Sequence, residues 1–157
     1  MIRIIPLPAD FQDWTGLLSL VMESFAYMDG VIDPPSSAHR LTPQSLAQKA
    51  VDETCFLAVD DGTILGCVFC KVEQPDCLYI GKLAVAPSAQ GQGLGRQLVA
   101  AAEDHARALG LTRLRLETRI ELTRNHAAFG RLGFAKTSEN RHAGFDRTTS
   151  IEMQKAL

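Results

Sequence analysis

The sequence lacks any long apolar run, any repeat, any low-complexity tract and any linker of obvious composition. No hydrophobic stretch approaches the ~20 residues needed to cross a bilayer. Arg3 is followed by a short Ile4-Ile5-Pro6 run instead of the longer apolar region of a secretion leader. The expectation is a cytoplasmic protein with no membrane partner. Charge of one sign is also scarce. The 16 Lys and Arg against 18 Asp and Glu leave a net charge of −2, which gives no bulk attraction to nucleic acid. What is present is ordinary for a globular chain: 157 residues, 46% hydrophobic and 22% charged. That length fits one domain over residues 1–157, able to bury on the order of two-thirds of its unfolded surface.

Cysteine is sparse, and its placing argues against a metal. Cys67 and Cys70 form a Cys-x-x-Cys, with Cys55 and Cys77 nearby. The pair falls in Ile64–Val72, which reads as a strand, and residues three apart on a strand point to opposite faces. The reading is reduced, buried thiols and no metal site.

The apolar pattern gives a mixed α/β chain in the order β-α-α-β-β-β-α-β-α-β-β around one sheet. Residues 2–7 read as a first strand. Asp10 is the expected cap of a helix carrying Phe11, Trp14, Leu18, Val21 and Phe25. Residues 27–41 have no period and hold Gly30, Pro34 and Pro35, so they read as a loop. Thr42 caps a second helix with Pro43 at its first position, and Leu46, Ala47, Ala50 and Val51 form its buried face. Strands at 55–59 and 64–72 flank the turn signal Asp60-Asp61-Gly62. A strand at 78–85 follows. A long helix then runs from Gly93 to Leu109, burying Leu94, Leu98, Ala102, Ala106 and Leu109 and stopping at Gly110. Residues 113–118 form a strand and 123–132 a short helix. Strands at 134–137 and 149–153 close the chain.

The most informative segment is Leu83-Ala84-Val85 running through Pro87 into Gln90-Gly91-Gln92-Gly93-Leu94-Gly95-Arg96. An apolar strand enters a glycine-rich turn and then a helix. Backbone N–H groups at such a helix start, with the positive end of the helix dipole, suit a phosphate or pyrophosphate. A dinucleotide-binding turn has Gly-x-Gly-x-x-Gly, and here the third glycine is one residue early. A P-loop needs Lys-Ser or Lys-Thr after its glycines, and neither follows. A glycine-rich helix start with no ligand is the remaining alternative.

The spacing Gln90-x-x-Gly93-x-Gly95 after the Leu83–Val85 strand resembles the acyl-CoA-binding motif of the GNAT N-acetyltransferase superfamily. Phe129-Gly130-Arg131-Leu132-Gly133-Phe134 is similar to that family's Tyr-x-x-Leu-Gly-Phe segment, and the order of the two elements agrees. The resemblance covers roughly residues 55 to 155. It implies a GNAT-type fold, a mostly antiparallel sheet with one splayed parallel pair. It also implies transfer of an acetyl group from acetyl-CoA to a primary amine by direct attack. Leu83 N–H would then face the acetyl carbonyl, and Leu83, Ala84 and Val85 would run beside the pantetheine arm. Gln90, Gly91, Gln92, Gly93, Leu94, Gly95 and Arg96 would hold the pyrophosphate.

Such a transfer needs the two reactants held together, donors for the developing oxyanion and a route for the amine proton. The phenol that the family often places near the leaving thiolate is absent, because Phe129 stands there. A thiol of pKa near ~8.5 leaves tolerably without it. Asn125 is a candidate contact for the CoA arm. Tyr79, Glu73, Glu117, Glu121 and His126 are candidate proton acceptors. Tyr79, Gly81 and Leu83 are expected on one strand face, with a hollow at Gly81. Met28, Asp29, Asp33, His39 and Arg40 lie where the family shapes its acceptor pocket. Asp29 and Asp33 suit a cationic amine, and Arg40 suits a carboxylate. A small-molecule or peptide amine, a homodimeric state and a catalytically silent CoA-binding module are all left open.

Overall fold

The computed structural model describes residues 1–157. The chain runs β1 (Ile2–Pro6), α1 (Trp14–Phe25), α2 (Pro43–Asp52), β2 (Thr54–Asp60), β3 (Thr63–Glu73), β4 (Cys77–Val85), α3 (Leu94–Ala108), β5 (Arg113–Arg119), α4 (Thr123–Arg131), β6 (Ala135–Asn140) and β7 (Ser150–Ala156). The expected order of elements is the observed one. Short 3-10 turns at Ala26–Met28 and Ser37–Arg40 give the 27–41 loop its shape. No helix is long and apolar enough to cross a membrane.

All seven strands join one sheet in the order β1-β2-β3-β4-β5-β7-β6. Every neighbouring pair is antiparallel except β4–β5. That parallel pair is brief: Cys77, Leu78 and Tyr79 sit opposite Arg113, Leu114 and Arg115, and pairing stops there. Beyond it the two strands part. β5 remains paired to β7 along its whole length, and β4 remains paired to β3. The sheet is therefore split between the C-terminal ends of β4 and β5, the end from which the glycine loop departs.

Each face of the sheet has its own apolar cluster. On one, α1 and α2 bring Leu17, Leu20, Val21 and Leu46 onto Leu57, Cys67 and Phe69. On the other, α3 brings Leu94, Leu98, Val99, Ala102 and Ala106 onto Val68, Cys70, Leu78, Ile80, Leu114 and Leu116. Cys67 and Cys70 lie in opposite clusters, so their thiols diverge as alternation requires. Burial pushes both thiols up to about 12. Asp61 and Gly62 turn β2 into β3 at φ 47° and 81°, the paired positive values of a tight hairpin.

Three local expectations are corrected. The cap of α1 is Asp13, whose carboxylate accepts from Gly16 N–H at 3.0 Å, and not Asp10. Phe11 precedes the helix and packs edge-on against Trp14 at 4.8 Å. Val51 and Leu109 fall at the last turns of α2 and α3, beyond the reach of the sheet, and are exposed at 78% and 50%.

A fourth correction bears on the site. Opposite β3, Cys67 pairs with Ala84 and Phe69 with Gly81, so Val68 faces two residues of β4, Lys82 and Leu83. This is a β-bulge, and Lys82 takes the left-handed backbone at φ 49°. The extra residue inverts the alternation. Leu83 and Val85 pack with the α3 cluster, and Ala84 with the α1/α2 cluster. Leu83 thus does not share a face with Tyr79. Nor is there a hollow at Gly81, because a Cβ there would stand 3.3 Å from the Tyr79 ring, which folds over it.

Candidate functional site

The glycine loop is shaped by backbone and by empty space. Gly91 and Gly93 have φ of 82° and 79°, which a side chain disfavours. Gly93 is the N-cap of α3, with no side-chain cap bond and no acidic residue in the first turn. The first intrahelical bond runs from Gln97 N–H to the Gly93 carbonyl at 3.1 Å. The N–H groups of Leu94, Gly95 and Arg96 therefore have no acceptor within the helix. Gly95 has no positive φ, and a Cβ built on it meets no atom within 4 Å. Nothing inside the protein requires glycine at that position. An anion seated on the helix start would require it, because a methyl group would occupy the approach. The side chain of Leu94 is buried in the α3 cluster, so it anchors the helix and offers only its backbone. Gln90 Nε2 donates to the Val85 carbonyl at 3.3 Å, tying the loop to the strand end. Gln92 and Arg96 are exposed beside the loop. The expected phosphate residues thus form one cradle.

The split begins where this cradle meets β4. Val85 N–H, which the resemblance assigns to the pantetheine arm, donates to Ser24 Oγ on α1 at 3.1 Å. With its carbonyl held by Gln90, Val85 has both backbone groups engaged. No strand pairs with Leu83 across the split. On the other bank, Thr118 shares by alternation the face of Leu114 and Leu116. It is 7% exposed, and its hydroxyl has no hydrogen-bond partner. A buried hydroxyl without a partner is costly. This one sits on the α3 side of the split, the side of Leu83, where a polar ligand arm would satisfy it. Asn125 Nδ2 donates to the Tyr27 hydroxyl at 3.1 Å, a bridge from α4 to the turn after α1. Phe129 is half-buried and packs edge-on against Phe134 at 5.9 Å.

Most of the expected proton acceptors are already occupied. Arg115 grips Glu73 through two bonds of 2.8 and 2.9 Å and reaches Glu117 at 3.0 Å. Its guanidinium also lies 4.6 Å from the centre of the Tyr79 ring. The bond from Arg115 holds the Glu73 carboxyl below its usual range. Burial, reinforced by Glu117, pushes the Tyr79 phenol up to about 12. Tyr79, Glu73 and Glu117 are thus parts of one ion network on the α1/α2 side. His126 has its Nε2 on the Arg119 carbonyl at 2.9 Å. Glu121 differs. Its Oε2 accepts from Asp33 N–H at 3.4 Å and faces Arg147 at 3.7 Å, while its Oε1 is buried and without a partner.

The acceptor-loop residues separate. Asp29 pairs with His39 at 3.0 Å, and Asp33 faces Arg147 at 3.8 Å. Both acids are spoken for within the chain. Met28 accepts from Val31 and Ile32 N–H through its carbonyl, which shapes the turn. Arg40 is exposed and has no carboxylate contact. The loop is pinned from β5 by Arg119, which donates to the carbonyls of Pro34 and Pro35 at 2.7 and 3.1 Å. Lys82 Nζ donates to Ser37 Oγ at 2.8 Å. From the β6–β7 connection, His142 bonds Thr149 Oγ1; burial, helped by Arg119, lowers its pKa.

Ser24, Lys82, Thr118, Arg119, Arg147 and His142 escaped the sequence reading. Ser24 is a polar residue inside the first helix, and each of the others lies inside a pattern that reads as strand or loop. One signal was available: Thr118 stands at the third inward position of Leu114-x-Leu116-x-Thr118, where the alternation asks for an apolar side chain.

The fold thus sets a sheet split beside an uncapped, glycine-lined helix start. Residues 14–134 match the model of the Acetyltransferase (GNAT) family, and the chain belongs to that family. It is 32% identical over 143 residues to an IAA acetyltransferase of Azospirillum brasilense, covering 90% of this chain and 91% of the relative. A shorter stretch of 82 residues is 38% identical to an amino-acid acetyltransferase of Neisseria meningitidis, 51% of this chain but 18% of that protein. Among solved structures, the PaiA N-acetyltransferase of Thermoplasma acidophilum, in complex with coenzyme A, superposes with a TM-score of 0.80 at 18% identity, covering 100% and 99% of the two chains. A GNAT acetyltransferase of Elizabethkingia anophelis with acetyl-CoA bound gives 0.72 at 20% identity, covering 99% and 98%.

Proposed function

We propose that this chain transfers the acetyl group of acetyl-CoA to a primary amine, both held at once in the split. The observation that carries this reading is the open, uncapped cradle of Gly91, Gly93 and Gly95 at the mouth of the split. The CoA pyrophosphate is held by the N–H groups of Leu94, Gly95 and Arg96, with Gln92 and the Arg96 guanidinium alongside. Acetyl-CoA supplies an activated thioester. The chain supplies Leu83 N–H to the acetyl oxygen and the Thr118 hydroxyl to the arm. The amine enters from the α1/α2 side, and the Glu121 carboxylate takes its proton as the C–N bond forms and the C–S bond breaks. The departing thiolate leaves at its own pKa, taking a proton from water. Glu121 is preferred over Glu73, Glu117 and Tyr79 because Arg115 already engages those three.

The experiment is a thiol-release assay over an amine panel, with calorimetric titration of acetyl-CoA. Saturable binding with turnover of at least one amine supports the reading, and no binding overturns it. Phe129 favours a second reading, a CoA-binding module without turnover, since it brings no phenol to the leaving sulfur. Binding without turnover of any amine supports that reading. Phe129→Tyr separates the two further. It is expected to keep acetyl-CoA affinity within a few-fold and to leave turnover equal or up to ~10²-fold higher.

A further inference from the structure

Of the 16 lysines and arginines, only two are withdrawn from full exposure and have no carboxylate within 4.0 Å: Lys82 and Arg119. The other half-buried cations, Lys49, Arg113, Arg115 and Lys155, are each paired with an acid. The two exceptions lie together on the α1/α2 side of the split. Lys82 is the bulge residue, held at φ 49° immediately before Leu83, with Ser37 Oγ as the hydrogen-bond partner of its Nζ. Around that ammonium stand Lys49, Arg40 and Arg119, opposed by Glu53 alone, and burial followed by these cations lowers its pKa. Glu53 is itself engaged by Lys49 at 2.7 Å. Arg119 binds two loop carbonyls and is likewise lowered by burial; Glu121 and Asp33 act against that lowering, and both face Arg147. A protein of net charge −2 thus gathers unmatched positive charge at one place beside its reacting strand.

An ammonium drawn out of water without a counter-charge is destabilising. Here the cost is carried on a residue whose backbone is also disfavoured, which is the pattern of a binding position and not of a packing position. We propose that the acceptor carries a carboxylate that docks between Lys82 and Arg119, with its amine directed at Leu83 and Glu121. The acceptor class is then a small amino acid or other amino-carboxylic acid. A polyamine would meet Lys82 and Arg119 with like charge. This inference rests on the acetyl-transfer reading for its reaction, though not for the docking itself.

The test pairs amino acids with their carboxamides and with the corresponding decarboxylated amines. Each is offered with acetyl-CoA in the thiol-release assay, and each is titrated calorimetrically into the CoA-loaded protein. The wild type is expected to favour carboxylate over carboxamide by ~10-fold or more in kcat/KM, the scale of one charged hydrogen bond. In Lys82→Met that ratio falls to within ~2-fold, mainly through KM. In Lys82→Glu it inverts toward the decarboxylated amines. Lys82→Asn, whose side chain tolerates the left-handed backbone, repeats the loss should the other two variants fail to fold. Carboxylates bound in the calorimeter but never acetylated uphold the docking and remove the transfer reading. Carboxamides or polyamines accepted as well as carboxylates, or a ratio unchanged in a folded Lys82 variant, overturn the inference.

Discussion

Gly95 is a residue at which stability and the proposed binding of acetyl-CoA are expected to pull in opposite directions. It stands in the first turn of α3 with ordinary helical space around it, so Gly95→Ala gains helix propensity and meets no clash. The expected result is a melting temperature unchanged or raised, by the equivalent of up to ~1 kcal/mol, with acetyl-CoA affinity reduced ~10-fold or more. Calorimetry beside thermal unfolding reads both, and unchanged affinity would remove the role assigned to the cradle. Glu121 makes the complementary case at the proton. Glu121→Gln keeps the acceptor for Asp33 N–H and removes the base. We expect kcat to fall by ~10²-fold with the acetyl-CoA dissociation constant within ~2-fold of wild type. A kcat that does not move shifts the proton to another group. The glycine turn was legible at Gly91 and Gly93 because their positive φ favours a residue without a side chain. Glu121 could be named only as one carboxylate among several. Its distinction, an oxygen without a partner, depends on residues 88 and 26 positions away, Asp33 and Arg147, whose approach no local pattern encodes.

At the scale of the element, the split is the decisive feature, and it is kept open by strands that are each paired on their other side. Thr118 is the polar residue buried in its wall. Replacing it by Val removes a hydroxyl that finds no partner in the free protein. Thr118→Val is therefore expected to raise stability without acetyl-CoA by ~1 kcal/mol and to lessen the stabilisation that saturating acetyl-CoA adds. Urea midpoints with and without acetyl-CoA measure both quantities; equal shifts in the two conditions would make Thr118 a packing residue only. The helices and strands themselves were readable from apolar periods, to within one or two residues at most ends. The face of Leu83 was not. Alternation carried from Tyr79 puts Leu83 on the α1/α2 side, and the bulge at Lys82 puts it on the other. A lysine gives no warning of a left-handed backbone, whereas Asp61-Gly62 does, which is why that hairpin was legible and this bulge was not.

At the scale of the molecule, the open face of β5, β6 and β7 is an array of ion pairs centred on Arg115. Bonds from Arg115 to Glu73 and from Gln154 to Glu152 on that face, and from Lys155 to Glu103 of α3 on the other, hold those three carboxyls below the usual range. A carboxyl with a lowered folded pKa contributes stability that is present above its unfolded value, near ~4.3, and is lost as pH falls through the folded value. His142, also lowered, adds a loss in the same direction once it must take up a proton below ~6.5. The urea midpoint is thus expected to be flat from about pH 7 to 8, to slope gently beneath that, and to drop steeply below about pH 4.5. Arg115→Gln should cost about 2 kcal/mol at pH 7 and flatten the acid limb, since Glu73 returns toward its ordinary value. An unchanged acid limb in that variant assigns the acid sensitivity to other groups.

The bulge has one more effect, on how this sequence can vary in length. Before Lys82 the outward and inward positions of β4 follow one parity, and after it they follow the other. Deleting Lys82 alone would restore a continuous parity and leave Gly81, Leu83, Ala84 and Val85 on the faces they now occupy, because Val68 would then pair with Leu83 in a regular ladder. Substitution at Lys82 keeps a side chain on a left-handed backbone, while loss of the codon removes that backbone conformation altogether. Loss of Lys82 is therefore expected to leave soluble expression intact, and a deletion scan across residues 78–90 would find tolerance centred on the bulge.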